Sequence, residues 1–100
     1  MIEPEQCRTM AEVRAGVDEL DGAIVGLLAK RFRLMDAAAR IKPRREQVRD
    51  EARKAEVIDR VRARARESGI PEDLIARLYD LLIEGSIAYE LGEFDARRRA

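Results

Sequence analysis

The residues able to do chemistry in this chain are mostly cations at helical spacing. Arg31 sits in a run whose other members are apolar: Met10, Val13, Val17, Leu20, Ile24, Leu27, Leu34, Ala38 and Ile41. With Arg31 included, the steps alternate between three and four residues, the spacing of a heptad seam against a neighbouring helix. A guanidinium keeps its charge at any physiological pH, so in an apolar seam it requires a buried partner or an anionic ligand. Lys42 lies eleven residues further on, nearly eclipsed with Arg31 and about 16 Å along the axis. Arg14 is seventeen residues before Arg31, about 25 Å away and about 100° around the helix. It cannot serve the same ligand in the same protomer, but an antiparallel partner's copy can.

Further along, Asp50 and Arg53 are neighbours at i, i+3, and Ser86 and Glu90 at i, i+4. The last two continue the line of Leu82, so an apolar helix face turns polar there, with Gly85 beside it leaving room. Several fixed cations, one hydroxyl and one carboxyl suit a small dianion such as a dicarboxylate. Charge-assisted hydrogen bonds of about 1.5–3 kcal/mol each would hold it. Taken singly, Arg53 and Ser86 read equally as surface residues or members of local pairs, which are weak when exposed. Arg31 resists that reading because the seam buries it.

These residues must be carried by long helices. The chain has 100 residues, 46% hydrophobic, 40% charged and 4% aromatic, the profile of a single-domain helical bundle. Thr9 with Glu12 forms a capping-box pattern, and helix 1 is expected over about 10–42, ending at Pro43. Gly22 and Gly26, one turn apart, read either as tolerated glycines or as a place where another helix approaches closely. A polar, basic connection, PRREQVR, leads to Asp50 as the cap of helix 2, expected over about 50–68 with Val57, Ile58, Val61 and Ala65 inward. Gly69 is a stop signal, and Pro71, Glu72 and Asp73 open helix 3, expected over about 71–97. The expected architecture is therefore all-α: one domain over 1–100, a three-helix protomer with one very long N-terminal helix. That helix would be about 50 Å long, whereas a compact body of this size has a radius of gyration near 13 Å. The exposed seam thus predicts a homodimer packed along the first helices.

Composition narrows the function further. The formal net charge is zero, with 20 basic and 20 acidic residues, so no global field draws nucleic acid or anionic membrane. Arg60, Arg62, Arg64 and Arg66 alternate between two helix faces, so no basic stripe forms, and no nucleic-acid partner is expected. Histidine is absent and Cys7 is the single cysteine, which removes His-based nucleophile arrangements and Cys/His metal sites; no metal is expected. The segment MIEPEQCRTM has no apolar run, so neither a signal peptide nor a membrane span is expected, and a cytoplasmic location follows. A helical dimerisation module is the non-enzyme alternative; it accounts for the seam but not for Arg31 within it.

The stretch VRAGVDELDGAIVGLLAKRFRLMDAAARIK resembles the first helix of the all-helical chorismate mutases, the AroQ class. VRDEAR and the pair Ser86 and Glu90 continue the likeness across most of the chain. The lead-in PEQCRTMAEVR is similar to the isochorismate pyruvate lyase branch of that family. The resemblance implies an intertwined dimer with two active sites and no cofactor. It implies that Arg31 and the partner's Arg14 bind substrate carboxylates and that Lys42 contacts the ether oxygen and a carboxylate. Asp50 and Arg53 would shape the ring side, Ser86 would bind a carboxylate, and Glu90 would donate to the ether oxygen. The reaction implied is the pericyclic conversion of chorismate to prephenate, with cleavage of isochorismate to salicylate and pyruvate as the alternative. Two departures stand out. Many bacterial members carry glutamine where this chain has Glu90, and a glutamate donates only when protonated, so Glu90 is expected to work in that form. Lys54 stands where mutases often have a glutamate that binds the ring hydroxyl, which loosens the distinction between chorismate and isochorismate.

Overall fold

The computed structural model describes residues 2–99, and its regular structure among them is helical. Helix α1 is Met10–Ile41, α2 is Glu51–Ser68 and α3 is Glu72–Arg99. Two 3-10 turns that sequence periodicity does not announce, Pro4–Gln6 and Arg45–Gln47, occupy the lead-in and the basic connection. The chain divides into two compact units at Leu34 and Met35, a boundary that falls within α1. No helix among the described residues is long and apolar enough to cross a membrane.

In the first unit the lead-in folds onto the start of α1. The Glu12 N–H donates to Thr9 Oγ1 at 3.2 Å, and the Glu12 carboxylate accepts from Thr9 Oγ1 at 3.2 Å and from the Arg8 N–H at 3.1 Å. This is the anticipated capping pair, with the carboxylate reaching one residue further back than in the usual reciprocal box. Ile2, Pro4 and Cys7 meet Val13, Gly16, Val17 and Leu20 around a small apolar cavity of about 170 Å³. Beyond it the seam is open within the single chain: Ile24 is 52% exposed, Leu27 68% and Leu34 62%. A Cβ placed on Gly22 or Gly26 would meet nothing within 4 Å, so none of the described residues makes the close approach considered for them.

The second unit contains the end of α1 and the α2–α3 hairpin. Asp50 caps α2, its Oδ1 accepting from the Arg53 N–H at 2.9 Å. Gly69 ends that helix with φ +71°, a left-handed conformation that side chains other than glycine adopt at a cost. The Ile70 N–H then bonds the Ala65 carbonyl at 3.0 Å, completing a Schellman turn. Pro71 is the cap residue rather than a member of α3, and its carbonyl accepts from the Ile75 N–H at 3.2 Å. Ion pairs from Arg62 to Asp73 (2.7 Å) and from Lys54 to Asp80 (2.9 Å) show that the two helices run antiparallel. Ala39, Val48 and Phe94 form a buried cluster, with Ile87 and Leu91 packed against it. Burying a side chain the size of Phe94 contributes about 1.5–3 kcal/mol. This cluster ties the last turn of α1 and the connection to the far half of α3.

Candidate active site

Within the second unit, the end of α1 presents Lys42 to α3. Its Nζ lies 2.8 Å from Glu90 Oε2, with the Lys42 side chain 30% exposed and that of Glu90 5%. A carboxyl group so deeply buried is rare without a partner, because removing its charge from water is costly. Lys42 supplies that partner. Ser86, one turn before Glu90 and on the same face of α3, is also buried, and its Oγ donates to the Leu82 carbonyl at 2.7 Å. The polar continuation of the Leu82 line is therefore an internal feature of the unit.

Beside Lys42 is an open cavity of about 580 Å³, lined by Ile41, Lys42, Pro43, Gln47, Arg49, Asp50 and Glu51. Lys42 and Asp50, both singled out in the sequence, thus share one cavity wall. Arg53 does not line it: its Nη1 donates to Glu56 at 2.7 Å, an i, i+3 pair with both side chains more than half exposed. The local-pair reading of Arg53 is the one this arrangement displays. Arg14 and Arg31 belong to the first unit, where Arg14 is exposed and Arg31 half-buried.

Gln47 and Arg49 are cavity residues that helical spacing does not single out, since they lie in the connection between helices. Gln47 Oε1 accepts from the Arg44 N–H at 3.1 Å, which fixes the 3-10 turn. Arg49 forms a forked pair with Glu84, at 2.7 and 3.1 Å, and also reaches Glu51 at 2.8 Å. Lys54 adds a contact of 2.8 Å to Glu84. Hydrogen bonds from Arg49 first and Lys54 second hold the Glu84 carboxyl down to about 2. The same pairing raises the Arg49 guanidinium and the Lys54 ammonium above their ordinary values. The basic connection is paired in part with α3 and in part with itself: Arg45 pairs with Asp95 of α3 at 2.9 Å, while Arg44 pairs with Glu46 within the connection at 2.9 Å.

The Lys42–Glu90 geometry bears directly on how Glu90 works. In the 2.8 Å contact the Lys42 ammonium is the donor and Glu90 Oε2 the acceptor. Tyr89 faces the other way, its hydroxyl donating to Asp36 Oδ1 at 2.7 Å, and that bond raises the phenol above its ordinary value. Among the described residues no group of three or more His, Cys, Asp or Glu is placed to hold a metal ion.

Known proteins share this arrangement of sequence. A chorismate mutase of Methanocaldococcus jannaschii is 30% identical over 82 residues, which span 81% of this chain and 83% of that protein. The sequence pattern of chorismate mutase type II matches residues 13–91, from the first turns of α1 to one residue beyond Glu90. With three helices, a long first one and the Lys42–Glu90 pair inside the matched region, the chain belongs to the chorismate mutase type II family.

Proposed function

We propose that this chain converts chorismate to prephenate in the cavity beside Lys42, as an intertwined homodimer in the cytoplasm. The observation that carries the site assignment is Lys42, which lines an open cavity and pairs with the buried Glu90 carboxyl group at 2.8 Å. In the rearrangement the ether C–O bond breaks as a C–C bond forms within one molecule, with no nucleophile and no net proton transfer. What a protein can contribute is a compact, reactive conformer and stabilisation of the charge that develops on the ether oxygen. Lys42 meets both demands by donating to the ether oxygen and to a substrate carboxylate. Glu90, protonated, donates to the same oxygen. Ser86 supports a carboxylate, Asp50 and Arg53 shape the ring side, and Arg31 with the partner's Arg14 binds the carboxylates. The single domain over 1–100 is the unit that dimerises.

Lys54 loosens the distinction between chorismate and isochorismate, which keeps the cleavage of isochorismate to salicylate and pyruvate as the alternative reading. Its ammonium is engaged by Asp80 and Glu84, and α2 offers no carboxylate at that position to read the ring hydroxyl. One assay tests both readings: purified protein incubated separately with chorismate and isochorismate, with prephenate and salicylate measured. Prephenate is expected from chorismate. Salicylate alone would assign the lyase, and turnover of neither would favour the helical dimerisation module.

A further inference from the structure

The last turn of α1 lacks a donor. In a continuing helix the N–H of residue 43 would bond the Ala39 carbonyl, but residue 43 is proline and has no N–H. The preceding carbonyl, that of Ala38, still receives the Lys42 N–H at 2.9 Å. For Ala39 the donor comes from α3: Arg98 Nη1 reaches its carbonyl at 2.7 Å, and Arg98 Nη2 reaches the Lys42 carbonyl at 2.6 Å. The guanidinium is seated on Phe94, 3.5 Å from the ring centroid, and Phe94 and Ala39 are both in the buried cluster. A cation at a helix C-terminus is also favoured by the helix dipole.

The two carbonyls bracket the turn from which the Lys42 side chain leaves. The same lysine's ammonium reaches Glu90, eight residues before Arg98 on the same helix and so about two turns away. Thus α3 grips Lys42 twice, by its main chain through Arg98 and by its ammonium through Glu90. We propose that Arg98 is a positioning residue for the reaction: by holding the Ala39 and Lys42 carbonyls it aims the Lys42 ammonium. Its catalytic consequence rests on the chorismate reading above; its effect on Lys42 does not. A planar fork spans two carbonyls with fixed geometry, which a lysine at the same position cannot do.

The test compares Arg98→Ala, Lys42→Ala and the double variant for prephenate formation, with the unfolding temperature of each recorded. Misplacing a reacting group by about 1 Å costs about 100-fold, and Arg98→Ala is expected to lower kcat/KM by about that factor, mainly through kcat. In the Lys42→Ala background the same substitution should have no further effect. An equal fold loss in both backgrounds would overturn the proposal. Should Arg98→Ala not fold, Arg98→Lys keeps the stem and charge and carries the same comparison. A second measurement needs no substrate: the Lys42–Glu90 coupling in urea unfolding, from Lys42→Met, Glu90→Gln and their combination, with and without the Arg98 substitution. The coupling should vanish when Arg98 is replaced; an unchanged coupling would also overturn the proposal. If the wild type forms no prephenate, the chorismate reading fails, while this coupling still decides the role of Arg98.

Discussion

The Lys42 ammonium pairs with a Glu90 carboxyl group that is almost wholly buried. On the proposed reading a dianionic substrate draws that ammonium away and Glu90 acts as a donor. That role links activity to the protonated form of Glu90. Activity should therefore fall as pH rises, since an ionised carboxylate cannot donate. Glu90→Gln, which donates at every pH, should extend activity upward; a wild-type rate that stays flat from acid to alkaline pH would contradict the linkage. Arg31 is the other residue with a single expected consequence. Arg31→Ala should abolish measurable turnover while leaving helical content and oligomeric state unchanged, as checked by circular dichroism and sedimentation. Arg53, tied to Glu56 on an exposed helix face, should matter much less to stability, because such pairs are worth under about 1 kcal/mol.

At the scale of elements, the helices were legible because their signals are local. Thr9 and Glu12, Asp50 and Gly69 each act on backbone groups within a few residues, and the caps they announce are present, while Pro71 precedes α3 instead of opening its first turn. The two 3-10 turns were not legible, since three-residue turns leave no periodicity. Nor was the acidic clamp on the basic connection: Arg49 with Glu84 and Arg45 with Asp95 are separated by 35 and 50 residues. Arg98 had a trace in the sequence, because Pro43 four residues after Ala39 leaves a carbonyl without a donor, but nothing local says which side chain supplies one. The Glu84 cluster yields a pH prediction whose sign is fixed. Its carboxyl is held at about 2 in the folded chain against an ordinary value of 4.5. The stability it contributes is fully present above about pH 4.5 and is lost as pH falls toward 2. Urea midpoints should therefore fall across that interval in the wild type and fall less in Glu84→Gln; parallel curves would exclude the cluster as a source of acid sensitivity.

For the molecule as a whole, the open question raised by the sequence was what covers the seam of α1. Among the described residues of one chain, Ile24, Leu27 and Leu34 stay more than half exposed. Contiguous apolar side chains on a heptad spacing are costly to leave in water. A second copy of α1 is the occupant we propose, and it is also the route by which the partner's Arg14 reaches a substrate carboxylate. A charge in the middle of that seam should separate the protomers. Leu27→Glu is expected to give a monomer by sedimentation and to lose activity with it, whereas an active monomer would show that each chain carries a complete site. The central claim is that chorismate is rearranged in the cavity beside Lys42. Its most direct test is prephenate formation by the wild type and by Lys42→Ala, measured side by side. Loss of one preorganised donor to a developing oxyanion costs about 10²–10³-fold. We predict prephenate from the wild type and a loss of at least about that size in kcat for the variant; equal rates in the two proteins would contradict the assignment.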